Sequence, residues 1–186
     1  MSDTLQIDGR SIEIRPLTRG DREAVARFAA ALPVHDLLFL ARDIREPRVL
    51  DAWLDAVETG EAESLVALSG SEIVATTASL RDRLSWSAHV TEVRLLVAPA
   101  LRNKGLGRML LERAVDAEIE RGAHKLVARM TANQAGAITL FEETGFRAEA
   151  LLRDQVRDAA GAKHDLAILA LDPAREAAKR EAFGAA

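Results

Sequence analysis

The stretch V-A-P-A-L-R-N-K-G-L-G-R-M-L-L, Val97 to Leu111, decides how this chain is read. Before it, Val90 to Ala98 is β-like and closes at Pro99. After it, Leu106, Met109, Leu110, Ala114 and Ala117 recur at helical spacing, which predicts a helix over 106–121 capped by Gly122. Between strand and helix lies a basic, Gly-rich turn from Arg102 to Arg108. The first N–H groups of a helix have no intrahelical partner and sit at the positive end of its dipole. Phosphate oxygens satisfy such groups. Gly105 and Gly107 keep Cβ atoms out of the way of an anion, and Arg102, Lys104 and Arg108 supply balancing charge. The competing reading is a tight corner whose glycines serve only helix–sheet packing. Other phosphate motifs fail on residues: no Gly-Lys-Ser/Thr loop is present, and Leu110 stands where a dinucleotide fingerprint needs its third glycine.

Outward from this stretch, the pattern predicts strands at Ser11–Pro16, Ser64–Leu68, Glu72–Leu80, Val90–Ala98, Lys125–Thr131, Leu151–Val156 and His164–Leu171. Helices are expected over Arg22–Leu32, after the capping candidates Thr18 and Asp21, and from Pro47 to about Glu58. A further helix spans Ala135–Thr144 and stops at Gly145, while His35–Ile44 is open between helix and ordered loop. One helix joining the fourth and fifth strands, Val90–Ala98 and Lys125–Thr131, makes them a parallel pair with a right-handed crossover. The remaining connections are hairpin-like. The expected fold is therefore α+β: a mixed, mostly antiparallel twisted sheet flanked by helices. Residues 1–171 are expected to form one domain, with 172–186 a tail forming a short helix.

Composition narrows the function classes. The chain has 186 residues, of which 48% are hydrophobic and 29% charged, which is globular composition. The net charge of −4 argues against nucleic acid as a partner. No apolar run suits a membrane span, and Met1–Arg10 lacks a secretory pattern, so a cytoplasmic protein is expected. Cysteine is absent, and His89 and His124 have no partner at ligand spacing, so no metal site is expected.

The turn and its flanks resemble the acyl-CoA-binding signature of the GCN5-related N-acetyltransferase (GNAT) superfamily. V-R-L-L-V-A-P resembles its fourth strand, R-N-K-G-L-G-R-M-L-L its pyrophosphate loop and helix, and T-A-N-Q-A-G-A-I-T-L-F-E-E-T-G-F, Thr131 to Phe146, its next strand, helix and Gly-Phe exit. The opening I-E-I-R-P-L-T-R-G-D is also similar. The resemblance implies acetyl-CoA as cosubstrate and transfer of its acetyl group to a primary amine on a small molecule, amino acid or protein. It implies a pantetheine arm along Leu95, Leu96 and Val97, and a pyrophosphate on Asn103, Lys104, Gly105, Leu106, Gly107 and Arg108, aided by Arg102. Asn133 matches an asparagine near the reacting end, although it also suits a helix N-cap. A homodimer is the family-level expectation.

One departure concerns the general acid. The family often has tyrosine where Phe141 stands, and this chain has no tyrosine. A thiol of pKa around 8.5 is a tolerable leaving group without that help. Glu92, early in the strand beside the cofactor, is the candidate base, set against an ordinary ion pair with Arg94. His35, Asp36 and Asp43 are read as helix-surface charge or an amine-binding patch, and Asp158, His164 and Asp165 as hairpin-stabilising residues rather than catalytic ones, with both roles open. Trp53 and Trp86 are read as packing residues. The alternative to an enzyme is a noncatalytic acyl-CoA sensor.

Overall fold

The computed structural model describes residues 3–175 and residue 178. The chain opens with a hairpin, β1 (Asp3–Ile7) and β2 (Arg10–Pro16). Its turn residues Asp8 and Gly9 have φ of 53° and 72°. Two successive positive φ values match the twist of antiparallel strands, and Asp-Gly tolerates them. The sequence reading missed β1, although Leu5 and Ile7 alternate ahead of that turn.

After β2 comes a short 3-10 turn over Arg19–Asp21, then α1 (Arg22–Ala31), which buries Val25, Phe28 and Ala29 and ends one residue before the expected Leu32. The open segment after Pro33 is an ordered loop with a 3-10 turn at Val34–Leu37, anchored by buried Leu37, Phe39 and Ile44. Helix α2 (Pro47–Glu58) starts at its proline and buries Leu50 and Leu54. A two-residue strand β3 (Ala62–Glu63) precedes β4 (Leu65–Ser69) and β5 (Glu72–Leu80), which form the expected hairpin. Next come β6 (Val90–Val97), α3 (Leu106–Glu120), β7 (Lys125–Thr131), α4 (Ala135–Glu143), β8 (Arg147–Arg157) and β9 (Lys163–Leu171). Strand β8 begins four residues before the expected Leu151, because an edge strand of exposed residues carries no apolar alternation. Of the tail, only residues 172–175 and 178 are described, so the expected helix over 172–186 lies largely outside the described residues.

The sheet order is β1-β2-β4-β5-β6-β7-β9-β8, with β3 paired to β5. Every pair is antiparallel except β6 and β7. These are the fourth and fifth strands of the sequence reading, renumbered because β1 and β3 precede them. Helices cover both faces. On one, α1 and α2 pack Phe28, Leu50 and Leu54 with Val66, Leu96 and Leu166. On the other, α3 and α4 pack Leu111, Val115 and Phe141 with Val93, Leu126 and Leu169.

The junction of β2 with α1 is locked by Asp21, which is 7% exposed. It accepts two bonds from the Arg15 guanidinium (2.8 and 2.6 Å) and two from the Thr18 N–H and hydroxyl (2.9 and 2.8 Å). Arg15, with help from Thr18 and against the effect of burial, holds its carboxyl down at about 2. A depressed folded-state pKa stabilises at pH above the unfolded value and is lost as pH falls through the folded one. Asp21→Asn should therefore cost on the order of 2 kcal/mol in urea unfolding at pH 7. The gap from the parent protein should narrow by about half near pH 3. An unchanged gap would show that the carboxylate charge is not what holds the junction.

Candidate cofactor and acceptor site

Strand β6 pairs with β5 in an unbroken register, from Glu92 opposite Leu80 to Val97 opposite Ala75. The Ala98 N–H donates to the Val74 carbonyl at 2.8 Å, which sets the phase of this ladder. Alternation then turns the main-chain groups of Leu96 and Arg94 toward β5, and those of Val93, Leu95 and Val97 toward β7. Pairing with β7 covers only Val90–Glu92 against Lys125–Val127. Beyond Glu92 the two strands diverge. The same argument from the Ala132 N–H on the Asp165 carbonyl (3.0 Å) turns the main chain of Arg129 and Thr131 toward the gap. The Thr131 N–H is held by the Gln134 side chain at 3.0 Å, and the Val97 carbonyl accepts from Arg102 Nε at 3.1 Å. The gap is thus a slot edged with main-chain donors and acceptors, suited to an extended amide-bearing chain lying as another strand would. Leu95 and Val97 face it as expected, whereas the main chain of Leu96 is engaged by β5.

The slot leads to the start of α3. Among the described residues, no protein acceptor takes a main-chain N–H from Asn103 through Arg108, and the first bonded donor is Met109, on the Gly105 carbonyl at 3.1 Å. Asn103 and Gly105 adopt the left-handed conformation, with φ of 58° and 85°. Successive donors in such a turn form an anion-binding concavity. Gly107 does something else. A Cβ there would lie 3.3 Å from Leu140 Cδ2 and 3.4 Å from Val97 Cγ2, so Gly107 brings α3 close to β6 and α4. Gly107 thus has a packing role, whereas at Gly105 a Cβ would meet nothing within 4 Å.

The turn's cations already have partners. Lys104 pairs with Asp8 of the first hairpin, and Arg108 with Glu143 of α4. Arg102 Nη2 lies 2.5 Å from Asp36 Oδ2, and Asp36 is 6% exposed. Asp36 also has His35 Nε2 at 3.1 Å, while Asp43 is engaged by Arg45, which holds its carboxyl below the usual range. His35 thus pairs with Asp36, which also pairs with Arg102, while Asp43 pairs separately with Arg45. The role of Asp36 in tying the loop after α1 to the cofactor turn had no sequence signal, since 66 residues separate the partners.

Glu92 projects on the α2 side of the sheet, with Arg94 Nε at 2.7 Å on one oxygen and Arg129 Nε at 3.7 Å from the other. Phe141 is 4% exposed and packs edge-on against Phe146, with ring centroids 5.0 Å apart, so its ring belongs to the core. Exposed Asn133 accepts from the Thr131 hydroxyl at 2.7 Å and sits where β7 gives way to α4; Gln134, not Asn133, is the N-cap residue. Asp158 takes the N–H groups of Ala160 and Ala162 and bonds His164 at 2.9 Å, as a hairpin-stabilising residue does. His164 is the first cause that holds its carboxyl below the usual range. Asp165 accepts the Asp154 N–H across the same hairpin. Trp53 donates to Ser64 Oγ at 3.0 Å beside the core, whereas Trp86 is fully exposed on the β5–β6 loop and packs on nothing. Among the described residues no cluster of His, Asp or Glu suits a metal ion, and no helix is long and apolar enough to cross a membrane.

Comparison with known proteins agrees with this geometry. The ribosomal protein bS18-alanine N-acetyltransferase of Salmonella typhimurium is 38% identical over 81 residues, covering 44% of this chain and 54% of that protein. The chain thus spans about half the length of the curated relatives it matches. The structure of a ribosomal-protein-alanine N-acetyltransferase from Brucella melitensis aligns with a TM-score of 0.73 at 25% identity, over 86% of this chain and 98% of that one. A putative acetyltransferase from Salmonella typhimurium, solved with its cofactor acetyl-CoA, shares the fold with a TM-score of 0.74 at 24% identity, over 87% and 93% of the two chains. Residues 32–146, more than half of the sequence, match the model of the acetyltransferase (GNAT) family. On that match the chain belongs to the acetyltransferase (GNAT) family.

Proposed function

We propose that this chain transfers an acetyl group from acetyl-CoA to a primary amine, with residues 1–171 acting as one acyl-CoA-binding domain. The observation that carries the reading is the run of open N–H donors from Asn103 to Arg108, continuous with the slot between β6 and β7. Acetyl-CoA supplies a thioester, whose acyl carbon a neutral amine attacks. The N–H groups of Asn103 to Arg108 grip its diphosphate, with Arg102, Lys104 and Arg108 close enough to add charge. Leu95 and Val97 offer their main-chain groups to the pantetheine arm, and Asn133 offers its amide at the far side. The relatives named for acetylating a ribosomal-protein alanine support an amine as acceptor.

Glu92 is the proposed base. Both its oxygens face guanidinium groups, but a carboxylate oxygen keeps a further lone pair, so a water can relay the proton. Phe141 supplies no acid. That lack favours a second reading, a noncatalytic acyl-CoA sensor, which an amine panel separates from the enzyme.

Two outcomes are expected. Acetyl-CoA at about a hundred times its Kd should stabilise the protein by about 2.7 kcal/mol, read as a thermal shift. Gly105→Asp places a carboxylate among the open donors, at a left-handed position where any side chain carries backbone strain. It should remove the shift, whereas Gly105→Asn, which carries the same backbone strain without the charge, should lower the unliganded Tm by a similar amount and retain the shift. A Gly105→Asp protein that still binds acetyl-CoA as tightly would rule out the turn as the anion site. Glu92→Gln should preserve the thermal shift and slow CoA release with an amine by about a hundredfold or more. Undiminished turnover would remove Glu92 from the mechanism.

A further inference from the structure

Opposite the α3 face, β5 and β6 carry a cavity of about 250 Å³ closed over by α2 and the loop before it. Its wall is largely aliphatic, with Leu40, Ile44, Val49 and Ala78 among the lining residues, and Trp53 adds an indole. The neutral polar groups in that wall are already engaged: Trp53 Nε1 donates to Ser64, and Thr76 Oγ1 donates to the Leu65 carbonyl at 2.9 Å. The charged groups that line it are Arg42 and Arg94, and no carboxylate does. Arg94 is 20% exposed and gives its Nε to Glu92, but among the described residues its two terminal nitrogens have no hydrogen-bond partner. The cavity meets β6 at Arg94–Leu96, and the other edge of this stretch opens on the slot assigned to the pantetheine arm.

Resting on the transferase reading above, we infer that this cavity is the acceptor pocket. Its occupant is the α-amine of a hydrophobic amino acid, free or at the start of a peptide, with its carboxylate or carbonyl oxygen on Arg94. Three arguments converge. An aliphatic or aromatic side chain gains free energy in proportion to the apolar area it withdraws from water into such a wall. The unpaired fork of Arg94 matches a carboxylate or carbonyl oxygen, and a planar guanidinium takes these oxygens with defined geometry. A polyamine would bring further positive charges beside Arg42 and Arg94, where neighbouring Glu92 is already engaged by Arg94 and Arg129, which is costly in an apolar setting. The same surroundings disfavour the ammonium form of the incoming amine, so they help to generate the nucleophile.

The test is a steady-state panel with acetyl-CoA and four acceptors: leucine, leucinamide, a tripeptide beginning with leucine, and spermidine. The leucine-based amines should exceed spermidine in kcat/KM by about tenfold or more. If free leucine is the source, Arg94→Met should raise its KM by about tenfold and that of leucinamide by less, with the KM for acetyl-CoA unchanged. If the peptide is the source, it should outperform leucine. Ala78→Leu, which fills the cavity from its floor, should raise the KM of every leucine-based acceptor while the acetyl-CoA thermal shift persists. Spermidine preferred, an Ala78→Leu protein with unaltered acceptor KM, or no leucine-based turnover despite acetyl-CoA binding would each overturn the inference. Loss of acetyl-CoA binding in the parent protein would instead sink the transferase reading on which it stands.

Discussion

Strand β6 has two different neighbours. Toward β5 it is paired from Glu92 to Val97; toward β7 it is paired from Val90 to Glu92 and then released. Main-chain donors and acceptors of a sheet are not left open without reason, since an unmatched polar group in a partly enclosed place is costly. Here the parting is held open by the helix layer. Leu140 and Phe141 of α4 pack with Leu95, Met130 and Phe146 beneath the point where the strands diverge. The absence of a Cβ at Gly107 lets α3 settle against Val97 and Leu140, which aims its N-terminus at the mouth of the slot. Packing on one face thus creates a hydrogen-bonding opportunity on the strand edges.

The cofactor turn is less positively charged than its residues suggest. Lys104, Arg102 and Arg108 each have a carboxylate partner, from the first hairpin, the loop after α1 and α4 respectively. The Lys104 and Arg108 pairs are largely exposed, where ion pairs contribute little, so exchanging them for the proposed diphosphate would cost little. The Arg102–Asp36 pair differs because Asp36 is buried, and it fastens the loop bordering the α2-side cavity to the turn before α3. On the proposed reading, the main-chain donors, which no neighbouring carboxylate satisfies, would carry the selectivity for phosphate.

Legibility from sequence followed the range of the interactions. The strand–turn–helix at Val90–Arg121 was readable because hydrophobic period, proline and glycine all act within a few residues. The α2 start at Pro47 and the β4–β5 hairpin were readable for the same reason. Strand β1 was overlooked despite a local turn signal, and β3 is too short to show a period. Side-chain partners were the least legible. Asp36 with Arg102, and Lys104 with Asp8, meet across 66 and 96 residues, and no spacing rule connects them. The distinct jobs of Gly105 and Gly107 likewise needed coordinates: one residue has a positive φ, and the other is crowded by neighbouring side chains.

The central claim is that main-chain amides of the turn before α3, and of the parted edge of β6, are the groups that meet the cofactor. The most direct measurement is a titration of the ¹⁵N-labelled protein with CoA, followed by amide NMR. The account predicts the largest shifts at Asn103–Arg108 and at Leu95 and Val97, with Leu96 and the β5 amides opposite it moving less. Shifts concentrated elsewhere, with the amides of Asn103–Arg108 unmoved at saturation, would contradict it.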